Sequence, residues 1–218
     1  MKFFIDTANL DQIREANELG VLDGVTTNPS LMAKEGIRGV QNQHKHYITI
    51  CEMVDGDVSA EVIATDYEGM IREGEELAAL HPNIVVKVPC IEPGIKAIKY
   101  FTEKGIRTNC TLIFSPGQAL LAAKAGATYV SPYVGRLDDI SSDGIDLVSK
   151  IAAMNAQYLF QTQVLAASIR TTQHIIQCID AGADVVTAPL AAIKGLLKHP
   201  LTDSGLKKFL EDYKKINE

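Results

Sequence analysis

The sequence has no long hydrophobic run, and this absence indicates the cellular location of the protein. Only three apolar residues stand between the charges of its first segment, Met1–Asp6, too few for the apolar core of a signal peptide. No later segment approaches the roughly 18 consecutive apolar residues that mark a membrane-spanning helix. We therefore expect a cytoplasmic protein that does not enter a membrane.

Clusters of lysine and arginine are also missing, and the formal net charge is −6. Nucleic acids and anionic membrane surfaces are bound by basic faces, so we expect neither as a partner. The sequence contains no GxGxxG or GxxxxGK[ST] motif for a dinucleotide or a nucleoside triphosphate. We predict no cofactor.

Spacing patterns typical of metal sites and disulfides are absent as well. His44 and His46 are two residues apart in a helical pattern, so their side chains point to different faces. With five histidines in all, no metal site is predicted. We expect reduced and mostly buried thiols, because no CxxC pair occurs. The four cysteines are Cys51, Cys90, Cys110 and Cys178.

What the sequence does contain is a repeated alternation of short apolar strands and helices. The strands are predicted at Lys2–Asp6, Gly24–Thr27, Val58–Glu61, Ile84–Val88, Arg107–Thr111, Thr128–Ser131, Gln163–Ala167 and Asp184–Thr187. Their spacing of about 20 to 36 residues is that of a βα unit, which implies parallel pairing with right-handed crossovers. Eight such units predict a single α/β domain over residues 1–218, a closed (β/α)8 TIM barrel.

Helices are predicted between the strands, and one more follows the eighth unit. The predicted ranges are Asp11–Leu19, Pro29–Lys34, Gln41–Val54, Asp66–Leu80, Pro93–Lys104, Pro116–Ala125, Gly144–Met154, Thr171–Asp180, Pro189–Leu197 and Asp203–Ile216. The segment Gly135–Asp143 is predicted to be the one long loop. The last helix is amphipathic and needs a surface to cover, either this barrel's own wall or a neighbouring subunit.

Lys87 stands out because it lies inside the apolar strand segment Ile84–Pro89. Burial would lower its pKa towards the neutral amine, which attacks carbonyl groups to form Schiff bases. The alternative is a lysine at a strand end whose ammonium reaches water.

Polar side chains occur at the C-terminal ends of nearly all strands, where barrels of this kind carry their chemistry. They are Asp6, Thr27, Asn28, Glu61, Lys87, Asn109, Thr111, Ser131, Ser168 and Arg170. Arg136 and Arg170 are suited to bidentate phosphate binding. One amine, two carboxylates and these arginines predict Schiff-base carbon–carbon chemistry on a phosphorylated sugar.

Several long strings resemble the small, microbial-type transaldolases, which share a subfamily with the fructose-6-phosphate aldolases. They are Asp6–Asn9, Gly24–Leu31, Val86–Pro89, Thr108–Phe114 and Ser131–Asp139. The resemblance covers the whole chain and implies a barrel of the class I aldolase type with Lys87 as the Schiff-base residue. It also implies a homo-oligomer, a decamer of two five-membered rings or a pentamer, with the C-terminal helix reaching a neighbour.

The resemblance implies roles for the other strand-end residues. Asp6 resembles the acid/base that handles the departing hydroxyl, and Glu61 and Thr111 resemble the pair that holds the catalytic water. The predicted substrate-binding residues are Thr27, Asn28, Asn109 and Ser131 around the dihydroxyacetone unit, and Arg136, Ser168 and Arg170 around the phosphate.

Tyr133 departs from the transaldolase pattern, which usually has Phe at this position, whereas the aldolases have Tyr. A phenol near the site could place the water that releases dihydroxyacetone, so we include Tyr133 among the catalytic candidates. Glu61, Asn109 and Ser131 follow the transaldolase pattern instead.

The leading prediction is a transaldolase of the pentose phosphate pathway. It would move dihydroxyacetone from sedoheptulose 7-phosphate or fructose 6-phosphate to glyceraldehyde 3-phosphate or erythrose 4-phosphate. One alternative is a fructose-6-phosphate aldolase that releases free dihydroxyacetone. The other is a non-catalytic phosphosugar-binding barrel, which the presence of Lys87, Asp6 and Glu61 disfavours.

Overall fold

Eight parallel strands close into a barrel in the computed structural model, which describes residues 1–217. The strands are β1 (Lys2–Asp6), β2 (Gly24–Thr26), β3 (Asp57–Glu61), β4 (Ile84–Pro89), β5 (Thr108–Ile113), β6 (Tyr129–Pro132), β7 (Gln163–Ala166) and β8 (Val185–Ala188). Each strand pairs with the next, and β8 pairs with β1 to complete the ring. The predicted (β/α)8 barrel is confirmed.

The described residues form eleven helices, most of them on the outside of the strands. They are α1 (Leu10–Glu18), α2 (Pro29–Lys34), α3 (Val40–Met53), α4 (Tyr67–Ala78), α5 (Glu92–Glu103), α6 (Pro116–Ala125), α7 (Val134–Asp138), α8 (Gly144–Tyr158), α9 (Thr172–Asp180), α10 (Leu190–Gly195) and α11 (Pro200–Asn217). The local sequence explains several starts. At α6, the Ser115 side chain accepts from the Gln118 amide and Pro116 occupies the first turn.

Most helix boundaries differ from the prediction by one or two residues, and three differences are larger. The segment predicted to be a loop, Gly135–Asp143, contains most of α7, a helix of five residues that is too short to show a helical period. Helix α8 continues past Met154 to Tyr158. Helix α11 begins at Pro200 rather than Asp203, because proline fits the first turn, where its missing N–H costs nothing.

The inside of the barrel is filled by a layer of large side chains below its polar end. This layer, Phe4, Val85, Tyr129, Leu165 and Val185, forms an apolar cluster of its own. Phe4 and Tyr129 pack edge to face with ring centroids 5.9 Å apart. Because side chains two apart on a strand share a face, these residues are followed on the same face by Asp6, Lys87, Ser131, Ala167 and Thr187. The apolar layer therefore supports the polar one.

An ionic group closes the opposite, N-terminal end of the barrel. The Tyr129 hydroxyl donates to Asp57 Oδ2 at 2.7 Å, and Arg107 forms an ion pair with the same carboxylate. Arg107 also donates to the Pro82 carbonyl at 2.8 Å. These contacts join β3, β5 and β6 far from the strand ends that carry the predicted site.

Helix α11 leaves its apolar face uncovered in the single chain. None of its described residues is buried, and the four apolar side chains that define its stripe are each more than half exposed. They are Leu206, Phe209, Leu210 and Tyr213. The helix therefore does not cover its own barrel.

The cysteines are mostly buried, as predicted. Cys51, Cys110 and Cys178 are buried, Cys90 is partly buried, and all four are free. Within residues 1–217, no three candidate ligands gather as a metal site would require. In the same residues, no helix has the length and apolar character to cross a membrane.

Candidate active site

A cavity of about 300 Å³ opens at the C-terminal ends of the strands. Every strand contributes to its wall. The lining residues are Asp6, Thr26, Asn28, Pro29, Ser30, Glu61, Lys87, Leu112, Ser131, Tyr133, Arg136, Leu165, Ala167, Ser168 and Thr187. Eight of the twelve predicted site residues are among them, and the other four, Thr27, Asn109, Thr111 and Arg170, lie behind or beside the wall.

Lys87 is the only lysine in this wall, and it is 4% exposed. The parallel register of β3 and β4 pairs Glu61 with Lys87, and their charged groups are 3.0 Å apart (Nζ to Oε2). Lys87 Nζ also donates to the Thr27 carbonyl at 3.1 Å. The alternative of a lysine that extends to water is therefore wrong.

The pKa of Lys87 differs in direction from the sequence prediction. Burial is the largest single influence and lowers this pKa, but Tyr133, Glu61 and Asp6 raise it, and together they outweigh burial. The prediction of a lowered pKa is wrong because it considered only the apolar strand. The resting amine is thus an ammonium, and it must pass a proton to an acceptor before it can attack a carbonyl. The Glu61 carboxylate is in contact with it and can accept that proton.

Asp6 is the second carboxyl group of the cavity, and its surroundings differ from those of Glu61. The Thr26 hydroxyl donates to Asp6 Oδ1 at 2.7 Å and lies 2.6 Å from the Thr187 hydroxyl. Burial raises the pKa of Asp6, while Lys87 and the Thr26 hydrogen bond oppose this to a lesser extent. A carboxyl group with a raised pKa binds and releases a proton closer to neutral pH, as an acid/base catalyst requires.

A chain of hydrogen bonds behind the cavity orients Ser131. Its hydroxyl donates to Asn109 Oδ1 at 2.7 Å, and Asn109 Nδ2 donates to the Ser59 hydroxyl at 3.1 Å. Asn109 itself is fully buried, so it is one hydrogen bond removed from the cavity. Thr27 is also fully buried, and its hydroxyl donates to the Ser59 carbonyl at 3.1 Å.

Asn28 lies in the cavity wall at the start of α2. Its Oδ1 accepts from the Leu31 amide at 2.9 Å and caps that helix. Since the oxygen is used in this way, the amide nitrogen is the atom that can donate to a ligand.

Tyr133 lines the same cavity as Lys87 and contacts Thr111 and Arg136. Its hydroxyl is 3.0 Å from the Thr111 hydroxyl, and the role predicted for Thr111 with Glu61, holding a catalytic water, stays a prediction. The Arg136 guanidinium stacks over the Tyr133 ring, 5.5 Å from its centroid. A phenol, a hydroxyl and an arginine thus form one continuous polar side.

The three residues predicted to bind the phosphate are placed differently. Arg136 and Ser168 line the cavity, whereas Arg170 forms a bidentate ion pair with Asp139 at 2.5 and 2.6 Å. Arg170 is therefore at the rim with its terminal nitrogens already occupied.

Sequence reasoning missed several polar residues that help build the site. Thr26 and Thr187 line the cavity and bond to each other, and Ser59 supports Asn109. The period of two along a strand could have identified Ser59, which is two residues before Glu61 and so points to the same interior. Leu112 also lines the cavity; it has a φ of 61° and lies where the register of β5 with β6 shifts.

Comparison with known proteins accounts for this combination of barrel and cavity. A family model described as Transaldolase/Fructose-6-phosphate aldolase matches residues 3–218. The chain belongs to this family. The resemblance inferred from the strand-end strings is thereby confirmed.

Relatives within the transaldolase/fructose-6-phosphate aldolase family are similar along their full length. A protein named "Probable transaldolase" in Parabacteroides distasonis is 84% identical over 217 residues, covering 100% of each chain. One with the same name in Porphyromonas gingivalis is 80% identical and covers 100% of this chain and 99% of its own. The Cytophaga hutchinsonii protein of that name is 71% identical over 217 residues.

A solved structure supports the fold alone. It is named "putative fructose-1,6-biphosphate aldolase" and comes from Coccidioides immitis. It superposes with a TM-score of 0.59 over 87% of this chain and 74% of its own, at 15% identity.

Proposed function

We propose that this protein is a transaldolase that transfers a dihydroxyacetone unit between sugar phosphates through a Schiff base on Lys87. The donor would be fructose 6-phosphate or sedoheptulose 7-phosphate, and the acceptor glyceraldehyde 3-phosphate or erythrose 4-phosphate, as in the pentose phosphate pathway. One observation carries the proposal: a nearly fully buried lysine shares a cavity with two carboxyl groups in different surroundings. The names of the relatives agree with it.

The first step follows from the contact between Lys87 and Glu61. Glu61 Oε2, 3.0 Å from Lys87 Nζ, accepts a proton, and the neutral amine then attacks the ketose carbonyl carbon. The resulting carbinolamine loses its hydroxyl as water when the protonated Glu61 returns a proton to that oxygen. An iminium ion and an ionised Glu61 result, and the positive iminium occupies the place of the original ammonium beside the same carboxylate.

The second step uses Asp6. Its carboxylate removes the proton from the C4 hydroxyl, the C3–C4 bond breaks, and its electron pair neutralises the iminium to give an enamine. The aldose phosphate leaves with the C4 carbon as its aldehyde. When the acceptor aldehyde arrives, the enamine carbon attacks it, Asp6 returns the proton to the new hydroxyl, and an iminium of the new ketose phosphate forms on Lys87. Water then adds to this iminium by the reverse of the first step, which releases the ketose phosphate and restores the lysine amine. The raised pKa of Asp6 suits a group that must hold this proton between the two half-reactions.

The remaining wall residues position the substrate. We assign Asn28 and Ser131 to the hydroxyls of the dihydroxyacetone unit, because both line the cavity. The Asn28 amide nitrogen can donate to a hydroxyl, and the Ser131 oxygen, whose hydrogen is held by Asn109, can accept from one. Arg136 and Ser168 line the cavity and supply a charge and a hydroxyl for the phosphate. Asn109 and Thr111 act through Ser131 and Tyr133.

Tyr133 favours a second candidate, the fructose-6-phosphate aldolase reaction. Its hydroxyl is 3.0 Å from that of Thr111, and Tyr133 influences the pKa of Lys87. A water held by these two hydroxyls could hydrolyse the iminium that forms when the enamine is protonated, which releases free dihydroxyacetone.

Product analysis from fructose 6-phosphate, with and without erythrose 4-phosphate, separates the two reactions. A transaldolase releases glyceraldehyde 3-phosphate much faster when the acceptor is present. Equal rates with and without acceptor would favour the aldolase. Substitution of Tyr133→Phe should lower the rate without acceptor and raise the fraction of dihydroxyacetone that is transferred to the acceptor. An unchanged ratio of transferred to released dihydroxyacetone would show that Tyr133 does not promote release.

The uncovered face of α11 fits a homo-oligomer of pentameric rings, either a pentamer or a decamer, in the cytoplasm. Phe209 and Leu210 would then be buried against a neighbouring copy of the chain. Light scattering of the whole chain tests this proposal, and a monomer at micromolar concentration would contradict it.

A further inference from the structure

The terminal edge of the Arg170 guanidinium is occupied by a carboxylate. Its nitrogens Nη1 and Nη2 donate to the two carboxylate oxygens of Asp139 at 2.5 and 2.6 Å. Arg170 also packs close to Gly135, where an added Cβ would lie 2.7 Å from Arg170 Nε. The terminal edge is therefore closed to another anion while this arrangement persists.

The ion pair lies at the rim of the catalytic cavity. Arg170 comes two residues after Ser168, which lines the cavity, and Asp139 ends the helix that carries Arg136, another lining residue. The Gly135 amide donates to the Ser168 carbonyl at 3.0 Å and joins the two segments. The side chains of Arg170 and Asp139 are 48% and 53% exposed. A ligand can therefore reach the guanidinium, and the displaced carboxylate can move into water.

We infer that Asp139 competes with the substrate's phosphate group for Arg170 and thereby sets how tightly the phosphate is held. The inference rests on the proposed function, because it takes a phosphorylated sugar as the ligand. Carboxylates and phosphates pair with a guanidinium through the same two parallel hydrogen bonds, so the two anions exclude each other from that edge.

The competition weakens anion binding at Arg170 and does not select among anions. Any anion that pairs with the terminal nitrogens must first break their hydrogen bonds to Asp139, and the free energy of breaking them is the same for a phosphate and for a monoanion. Asp139 thus lowers the affinity of Arg170 for anions in general.

The neighbouring residue provides a matched control. Asp138 is next in sequence, but its carboxylate faces His174, with 3.2 Å between Oδ2 and Nε2. Substitution of either aspartate by asparagine removes one negative charge at the same rim. Only Asp139→Asn removes a bidentate partner of Arg170.

The test measures binding of inorganic phosphate, at a pH where it is a dianion, and of nitrate, a monoanion, by calorimetry on the full chain. An exposed ion pair is typically worth about 0.2–1 kcal/mol, so Asp139→Asn should tighten phosphate binding by roughly two- to fivefold. Nitrate binding at Arg170 should tighten by a similar factor. Asp138→Asn should leave the binding of both anions unchanged, and the KM for fructose 6-phosphate should fall in Asp139→Asn but not in Asp138→Asn.

Arg170→Ala and Arg136→Ala separate failure of this inference from failure of the proposed phosphate site. If Arg170→Ala weakens phosphate binding but Asp139→Asn weakens it as well or leaves it unchanged, Asp139 does not compete and the inference is overturned. If Arg170→Ala leaves phosphate binding unchanged while Arg136→Ala weakens it, the inference is overturned and the proposed phosphate site stands; if neither substitution weakens it, both are wrong. Circular dichroism melts of each variant show whether a loss of binding reflects a loss of folding.

Discussion

Replacement of Lys87 by methionine is expected to lower the free energy of unfolding by about 3 kcal/mol, because it leaves a buried carboxylate without its cation. The charged atoms of Lys87 and Glu61 are 3.0 Å apart, with side chains only 5% and 16% exposed. At an effective dielectric constant of about 20, two such charges attract by roughly 5 kcal/mol. The cost of desolvating both groups offsets much of this attraction. The pair therefore adds little to the net free energy of unfolding, whereas removal of one partner lowers that free energy considerably.

This reasoning makes a distinct prediction for each member of a double-mutant cycle. Lys87→Met and Glu61→Gln should each destabilise the protein by about 3 kcal/mol, since each leaves one buried charge unpaired. The double variant contains two neutral side chains of similar volume and should lie within about 1 kcal/mol of the original protein. The interaction energy from the cycle should therefore exceed about 3 kcal/mol.

Urea unfolding at pH 7, with all four proteins at one concentration, measures the cycle. The pKa of Lys87 is raised in the folded protein, so its contribution to stability is fully present below the ordinary lysine pKa. That contribution is lost as the pH rises through the folded pKa, and neutral pH therefore reports the whole effect. Additivity of the two single substitutions within about 0.5 kcal/mol would refute the reasoning.

The same cycle has a pH dependence that comes from Asp6. Burial raises the pKa of Asp6, and the Lys87 charge is what chiefly opposes it. A raised carboxyl pKa means that stability is greatest below the ordinary aspartate pKa and declines as the pH rises. Loss of the lysine strengthens this trend, so Lys87→Met should be less destabilising at pH 5 than at pH 8. An equal loss at both pH values would contradict it.

Two further predictions concern positions away from the lysine. Gly135→Ala places a Cβ 2.4 Å from the Ser168 carbonyl oxygen. It should lower the free energy of unfolding by about 1–3 kcal/mol, measured by thermal unfolding, and raise the KM for sugar phosphates. In the control Gly117→Ala the new Cβ meets only a side-chain oxygen at 3.9 Å, and an equal loss of stability there would refute the steric explanation. Asp57→Ala leaves the Tyr129 hydroxyl without its acceptor and should cost about 1–3 kcal/mol in urea unfolding, with kcat unchanged because the group lies at the opposite end of the barrel. A large fall in kcat for Asp57→Ala would show that this ionic group does affect catalysis.

The barrel can be predicted from the sequence because each unit repeats the same local chemistry. A short apolar strand such as Ile84–Val88 ends in a polar residue, and helices begin at side-chain caps such as Ser115 and Asp66. These are properties of neighbouring residues, so one sequence suffices to detect them. Helix α7 escaped detection because a single turn has no period.

The site is only partly predictable because its decisive contacts join residues that are distant in the chain. That polar residues end each strand follows from the pattern, and eight of the twelve predicted residues line the cavity. The pairing of Arg170 with Asp139 spans 31 residues and depends on how α7 packs against the segment after β7. The direction of the Lys87 pKa likewise depends on two carboxyl groups and a tyrosine from three other strands or loops, which an apolar strand segment does not reveal.

The most direct test of the central claim is the covalent capture of the intermediate. The protein is incubated with fructose 6-phosphate, reduced with borohydride, digested and examined by mass spectrometry. The account predicts a reduced dihydroxyacetone adduct on the peptide that contains Lys87, none in Lys87→Met, and an uncleaved hexose phosphate adduct in Asp6→Asn. An unmodified Lys87, an adduct on another lysine, or activity that persists in Lys87→Met would contradict it.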